Sequence, residues 1–224
     1  TADVTAAALN TVNAATTVNV TATAVTNITG SRTDLATTYG GGMSGLGDEK
    51  ITVSDNITSA QANTIDAYTT GVVTATISTT DITALDDLTG TGNAYTITVG
   101  TADVTAAALN TVNAATTVNV TATAVTNITG SRTDLATTYG GGMSGLGDEK
   151  ITVSDNITSA QANTIDAYTT GVVTATISTT DITALDDLTG TGNAYTITVG
   201  TASVTAAALN TVNAATTVDV TATA

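Results

Sequence analysis

The chain has 224 residues, 4 Lys+Arg against 19 Asp+Glu, a formal charge of −15, and no Cys, His, Trp, Phe or Pro. These absences exclude disulfides, thiolate and imidazole chemistry and Cys- or His-based metal sites, and the charge opposes binding to nucleic acid or to an anionic membrane surface. At 42% hydrophobic residues the chain can build a core, which disordered acidic chains cannot, while Thr, Asn, Asp or Gly interrupts every apolar run well short of the roughly 18 residues a membrane-spanning helix needs.

Residues 1–100 recur unchanged as 101–200, and 201–224 begin a third copy with two differences, Ser203 for Asp103 and Asp219 for Asn119. We therefore read 1–100 as one repeat unit, 101–200 as an identical one and 201–224 as the start of another, all within a single solenoid cut from a longer array. Each full copy holds 9 acidic and 2 basic residues. The array thus gains seven negative charges per unit, and this self-repulsion favours a solvated, extended object.

In chain order, the unit alternates two kinds of segment. Val4-Thr5 opens it, with Thr placed to accept from the free N–H groups of a first helical turn. Ala6 to Leu9, then Val12 and Ala15, fit a short helix. Val18 to Ala24 alternates apolar and hydroxyl residues, the signature of a strand. Ile28-Thr29 is a second cap candidate. Thr38 to Lys50 follows, with five Gly between 40 and 47, and is expected to loop away from the body once per unit. No G-K-[ST] accompanies that loop, and Asp48-Glu49 would repel a phosphate. Met43 and Leu46 are its apolar members and are candidates for lateral contact between neighbouring fibres.

Ile51 to Ser54 is the next strand. Ile57-Thr58 caps a helix carrying Ala60, Ala62, Ile65 and Tyr68, and Thr58 with Gln61 forms a T-x-x-Q capping box. Val73 to Ile77 is a strand, Ile82-Thr83 a cap, Thr83 to Leu88 a short turn, and Tyr95 to Val99 the last strand. Strands separated by helices pair in parallel through right-handed crossovers. The expected fold is α/β: a right-handed solenoid of strand–helix coils with one continuous parallel sheet and four coils per 100-residue unit, one of them longer. Its layout is similar to a leucine-rich-repeat-type solenoid, although the L-x-x-L-x-L-x-x-N signature is missing.

Two constellations could carry function. Thr21, Thr23, Thr52, Thr74, Thr76, Thr96 and Thr98 project from the predicted strands and would stack as two hydroxyl columns, about 4.8 Å per rung. Such T-x-T arrays resemble the ice-binding face of some antifreeze proteins; equally, Thr suits any exposed strand through its branching. Asp55, Asp81 and Asp103 (with Asp3, its counterpart in the first copy) each precede a Val/Ile-Thr pair. Stacked, they would form a carboxylate column that Ca²⁺ could bridge; unstacked, they make turns to their own backbone. No cofactor is otherwise required. No catalytic residue is nominated: paired carboxylates such as Asp86-Asp87 are present, but adjacent side chains point apart.

The runs at 58–67 (Thr-Ser-Ala-Gln-Ala-Asn-Thr-Ile-Asp-Ala), 70–78 (Thr-Gly-Val-Val-Thr-Ala-Thr-Ile-Ser) and 92–99 (Gly-Asn-Ala-Tyr-Thr-Ile-Thr-Val) resemble the Thr/Ala/Asp-rich repeats of giant secreted or cell-surface proteins of bacteria, notably cyanobacteria. That resemblance implies export, a surface or matrix role and very long parent chains, with no catalytic residues to carry over. Open strand edges at the ends of such an array template further pairing, so the expected partner is another copy, stacked end to end. The expected function is a repeat of an extracellular fibre, filament or coat. The alternative is an adhesin stalk or a Thr-faced module binding ice or glycan.

Overall fold

The computed structural model describes residues 2–200 and 203–223. The chain divides into two compact units, Thr1–Val99 with Thr111–Thr121, and Gly100–Asn110 with Ala122–Ala224. Both are α/β and built on parallel strands.

In the first unit the sheet runs β1 (Asp3–Thr5), β2 (Asn27–Gly30), β3 (Lys50–Val53), β4 (Val73–Thr76) and β5 (Ala94–Thr96), each strand parallel to the one before it. Between them lie α1 (Ala6–Ala14), α2 (Arg32–Gly40), α3 (Ser59–Asp66) and α4 (Ile82–Leu85), packed side by side in that order. Register partners lie 24, 23, 22 and 20 residues apart: Asp3 to Asn27, Asn27 to Lys50, Thr52 to Thr74, and Thr74 to Ala94. The second unit repeats this sheet with Asp103–Thr105, Asn127–Gly130, Lys150–Val153, Val173–Thr176 and Ala194–Thr196. Hydrogen bonding therefore resolves the expected single sheet into a five-stranded sheet in each unit.

The strands alternate because one face is buried. Val4, Ile28, Ile51 and Val73 stack in register, and the last three are fully buried. Each such aliphatic side chain contributes about 1.5–3 kcal/mol on burial. The helices add Ala6, Leu9, Leu35, Ala62, Ile65, Ile82 and Leu85 to the same interior. None exceeds nine residues, so packing rather than propensity holds them.

Three of the predicted strands form close to where alternation placed them, and so does the Thr58–Gln61 capping box, in which both reciprocal bonds are made. Thr5 caps α1, accepting from the Ala8 N–H at 3.2 Å. Other readings are corrected. Thr29 is a strand residue, and Ser31 caps α2. Thr83 lies inside α4, and Asp81 is the cap.

The segment 18–24 is not a strand of the main sheet. In the first copy Thr21 makes one bridge to Ser44, with the Ala22 N–H donating to Ser44 O at 2.8 Å and the Ser44 N–H to Val20 O at 2.9 Å. The long coil disappears, because β2 and α2 occupy it. The Gly-rich stretch does not loop away from the body either. It runs beside 20–23, and Gly47 O accepts from the Thr70 N–H at 2.8 Å. Gly45 makes this approach feasible: it has φ +81°, and a Cβ there would lie 2.4 Å from Cγ2 of Thr23.

Past β5 the chain stays extended and gains a second neighbour. Asn93 pairs with Thr116 and Thr98 with Thr121, both parallel. The Thr117 N–H donates to Asn93 O at 2.7 Å and the Val99 N–H to Thr121 O at 2.8 Å. Among the described residues, no helix is long and apolar enough to cross a membrane.

Candidate functional site

The outer face of the first sheet carries a hydroxyl row, Thr5, Thr29, Thr52 and Thr74, in register on successive strands and exposed. The row stops at Ala94, the partner of Thr74. A second row is short: Thr76 beside Thr96. Thr52, Thr74, Thr76 and Thr96 therefore share a face. Thr98 instead pairs with Thr121, Thr21 bridges Ser44, and Thr23 lies against Gly45. Thr5 and Thr29 complete the first row; both had been read as helix caps, and Thr5 serves as strand end and cap at once. Two residues upstream the same face shows Asp3, Asn27 and Lys50 in line, with Asn27 Nδ2 donating to Asp3 Oδ1.

The three aspartates of the predicted column each have a separate hydrogen-bonding task. Asp55 Oδ1 accepts from the Arg32 N–H at 2.8 Å, supplying the first turn of α2 with an acceptor. Asp81 caps α4, and hydrogen bonds from the Thr83 hydroxyl and N–H hold its carboxyl below the usual carboxylate range. Asp103 accepts from Asn127 Nδ2. Among the described residues, no three acidic side chains converge on a point where a metal could sit.

Met43 and Leu46 are both half-buried. Leu46 borders a shallow hollow with Thr23, Gly45, Gly47 and Asp48.

Three buried polar groups lie close to the first sheet. Glu49 is fully buried; its carboxylate accepts from the Gly47 N–H at 2.8 Å and from the Tyr39 hydroxyl at 2.8 Å. The Tyr39 ring stacks on Tyr68 with centroids 4.8 Å apart. Burial raises the Tyr39 phenol well above its ordinary value, and the hydrogen bond to Glu49 and the charges of Glu49 and Asp48 raise it further. Asn93, 2% exposed, donates to Asp66 Oδ1 at 2.7 Å and accepts from the Val73 N–H at 2.8 Å. Beside it lies an open polar cleft of about 290 Å³, lined by Asp66, Thr69, Thr70, Gly71, Gly92 and Asn93. Asn93 thus satisfies a backbone N–H of the neighbouring coil, as the Thr69 hydroxyl does for Glu49 O at 2.6 Å, whereas the Glu49 carboxylate serves a backbone N–H two residues before it and the Tyr39 hydroxyl. The chemistry this supports is ladder maintenance: one residue of each coil completes the hydrogen bonding of the next.

The third buried group is Tyr95, 1% exposed, whose hydroxyl is enclosed without a hydrogen-bond partner. An enclosed, unpaired hydroxyl costs about 1–3 kcal/mol. Tyr95→Phe is therefore expected to hold or raise the melting temperature by calorimetry; a loss of stability would show that the hydroxyl has a partner in solution.

No protein-family model matches this chain, and no curated protein or solved structure is significantly similar to it.

Proposed function

We propose that this chain is a structural repeat: a right-handed solenoid with four strand–helix coils per 100-residue unit, serving in an extracellular fibre, filament or surface coat of a bacterium and associating end to end with copies of itself. The observation that carries the reading is the coil-to-coil hydrogen bonding. Asn93 to Val73, Thr69 to Glu49 O and Asn63 to Asp87 O tie successive coils through side chains, and the same bonds recur at Asn193, Thr169 and Asn163. Buried polar groups spent on neighbouring coils are what a stacked array requires, since each coil depends on the next for its core. The chain's resemblance to repeats of giant surface proteins and its lack of cysteine support placement outside the cell. Met43 and Leu46 would serve lateral contacts. Electron microscopy at high protein concentration should show filaments that lengthen with concentration; single particles throughout would overturn the reading.

The row Thr5, Thr29, Thr52 and Thr74 favours a second reading, a face that binds ice or glycan. Thr74→Val with Thr76→Val should abolish such binding, measured as thermal hysteresis or glycan retention, while leaving the melt within about 1 kcal/mol, because both side chains are exposed. Retained binding would remove this reading. Calcium bridging by aspartates belongs to the same reading, and chelator should then lower the melting temperature.

A further inference from the structure

We infer that Tyr39 with Tyr68, and likewise Tyr139 with Tyr168, are paired sites of oxidative modification. Hydrogen peroxide turned over by a haem peroxidase, a one-electron oxidant, couples each pair into a dityrosine that staples two coils of one unit, with Glu49 or Glu149 as the proton acceptor. The inference holds whether or not copies of the chain stack end to end.

Tyr39 lies near the end of α2 and Tyr68 two residues past α3, and these helices pack side by side. The two rings stack with centroids 4.8 Å apart and planes 10° apart. The chain after Tyr68 is fixed against the chain around Glu49: the Thr69 hydroxyl donates to Glu49 O at 2.6 Å and the Thr70 N–H to Gly47 O at 2.8 Å. The Tyr39 hydroxyl donates to Glu49 Oε2 at 2.8 Å, and Glu49 is fully buried. Packing accounts for a stacked pair. It does not account for a buried carboxylate, which is costly to enclose, set on one phenol of that pair. The second unit repeats the arrangement: Tyr139 stacks on Tyr168 at 4.8 Å and 9°, and donates to Glu149 Oε2 at 2.8 Å. All four rings are half-buried, within reach of an oxidant, whereas Tyr95 and Tyr195 are each 1% exposed.

Burial and the hydrogen bond to Glu49 hold the proton on the Tyr39 phenol at ordinary pH. The oxidant therefore takes one electron from Tyr39 as that proton moves to Glu49 Oε2, and a neutral phenoxyl forms in place of a radical cation. Tyr68 loses a second electron, and its proton goes to water. The unpaired electrons have density on the carbons ortho to oxygen, in orbitals that stand on the ring faces, and the stacked faces bring them together. They pair in one carbon–carbon bond. Each bonded carbon then releases its hydrogen to water as a proton, and each oxygen takes a proton back, Tyr39 from Glu49 and Tyr68 from water. Two electrons and two protons leave the pair in all, and they reduce one peroxide to two waters. The open side of each half-buried ring leaves room for the bonded pair to turn edge to edge.

The test treats the full chain with hydrogen peroxide and a haem peroxidase, and reads dityrosine fluorescence and the masses of tryptic peptides. Each pair should lose two hydrogens without covalent dimers forming. Peptide 33–50 should be joined to 51–132, and 133–150 to 151–224, since Arg32, Lys50, Arg132 and Lys150 are the cleavage points. The oxidised chain should melt higher, because the new bond closes a loop and restricts the unfolded state. Tyr68→Phe with Tyr168→Phe keeps the stack and Glu49, and should abolish both linked peptides with circular dichroism unchanged. Glu49→Gln with Glu149→Gln removes the proton acceptor and should slow coupling about a hundredfold. Wild-type peptides that stay unlinked, dityrosine found only between chains or on Tyr95, coupling that survives Tyr68→Phe with Tyr168→Phe, or folded Glu49→Gln chains that couple at the wild-type rate would overturn the inference.

Discussion

Replacing Gly71 by Ala should destabilise the first unit by about 3 kcal/mol, which for a unit of about 100 residues lowers the melting temperature by about 12 °C. The reason is backbone contact. A Cβ on Gly71 would lie 2.3 Å from O and 2.7 Å from C of Glu49, and 2.9 Å from O of Asp48. No flexible side-chain end is available to give way. The chain would have to lift off β3 just before β4 begins, which strains the Ile51 N–H bond to Val72 O, 3.0 Å, and the Thr69 hydroxyl bond to Glu49 O, 2.6 Å. It would also disturb Glu49, whose buried carboxylate has Gly47 and Tyr39 as its donors. Gly171 stands at the same 2.3 Å from Glu149 O, and Gly171→Ala should cost the same. The control is Gly40→Ala. A Cβ there meets nothing within 4 Å, at the end of α2, and Ala is the better helix former, so the melt should hold or rise. Calorimetry of the three variants decides the matter: equal melts for Gly71→Ala and Gly40→Ala would mean that coils are not this closely stacked.

What was legible in the residues followed from how local each signal is. Ile51-Thr52-Val53 and Val73-Thr74-Ala75-Thr76 alternate because one side faces an aliphatic interior, and that alternation is visible without any knowledge of partners. The Thr58–Gln61 box is likewise a local event. β2 was missed because Asn-Ile-Thr-Gly offers a single buried side chain, Ile28, and so has no alternation to read. α2 was missed because its inner side is Leu35 and a threonine. Thr38 is fully buried, and its hydroxyl donates to Asn10 Oδ1 of α1 at 2.9 Å. That bond joins residues 28 positions apart, and nothing within α2 announces it. Missing β2 and α2 together produced the illusion of one long coil.

The candidate site failed to declare itself for the same reason. Glu49 reads as a surface charge in Gly-Asp-Glu-Lys, and only its place beneath Tyr39 makes it interior. Thr29 and Thr52 become neighbours through register, and register depends on where β2 starts. Asp55, Asp81 and Asp103 look alike in sequence because each precedes a Val/Ile-Thr pair, yet they serve a neighbouring helix's first turn, a cap and a cross-strand amide. Among the described residues no three acidic side chains come together, and likeness of sequence context does not by itself bring carboxylates to one point.

Stability should fall steeply as pH rises above about 10, with buried tyrosines as the cause. Burial raises the Tyr95 phenol well above its ordinary value, and the negative charge of Asp66 adds to this; Tyr195 has the same environment with Asp166. In the unfolded chain these phenols ionise at about pH 10. Below that pH both states hold their protons and stability is flat with respect to these groups. Above it the unfolded chain releases protons that the folded chain retains, so unfolding is favoured by about 1.4 kcal/mol per pH unit for each such tyrosine. Tyr95 alone then removes about 3 kcal/mol by about pH 12, a large share of a marginal total. Tyr39 and Tyr139 act in the same direction, since burial and their bonds to Glu49 and Glu149 also hold the proton on. Denaturant midpoints measured between about pH 8 and pH 12 should be level at first and then decline, with tyrosinate absorbance appearing together with unfolding. Tyr95→Phe with Tyr195→Phe should flatten the decline by the share of those two groups. A decline of equal slope in the double variant, or tyrosinate absorbance from the buried groups while circular dichroism stays native, would place these phenols in contact with solvent and contradict their enclosure beneath the sheet.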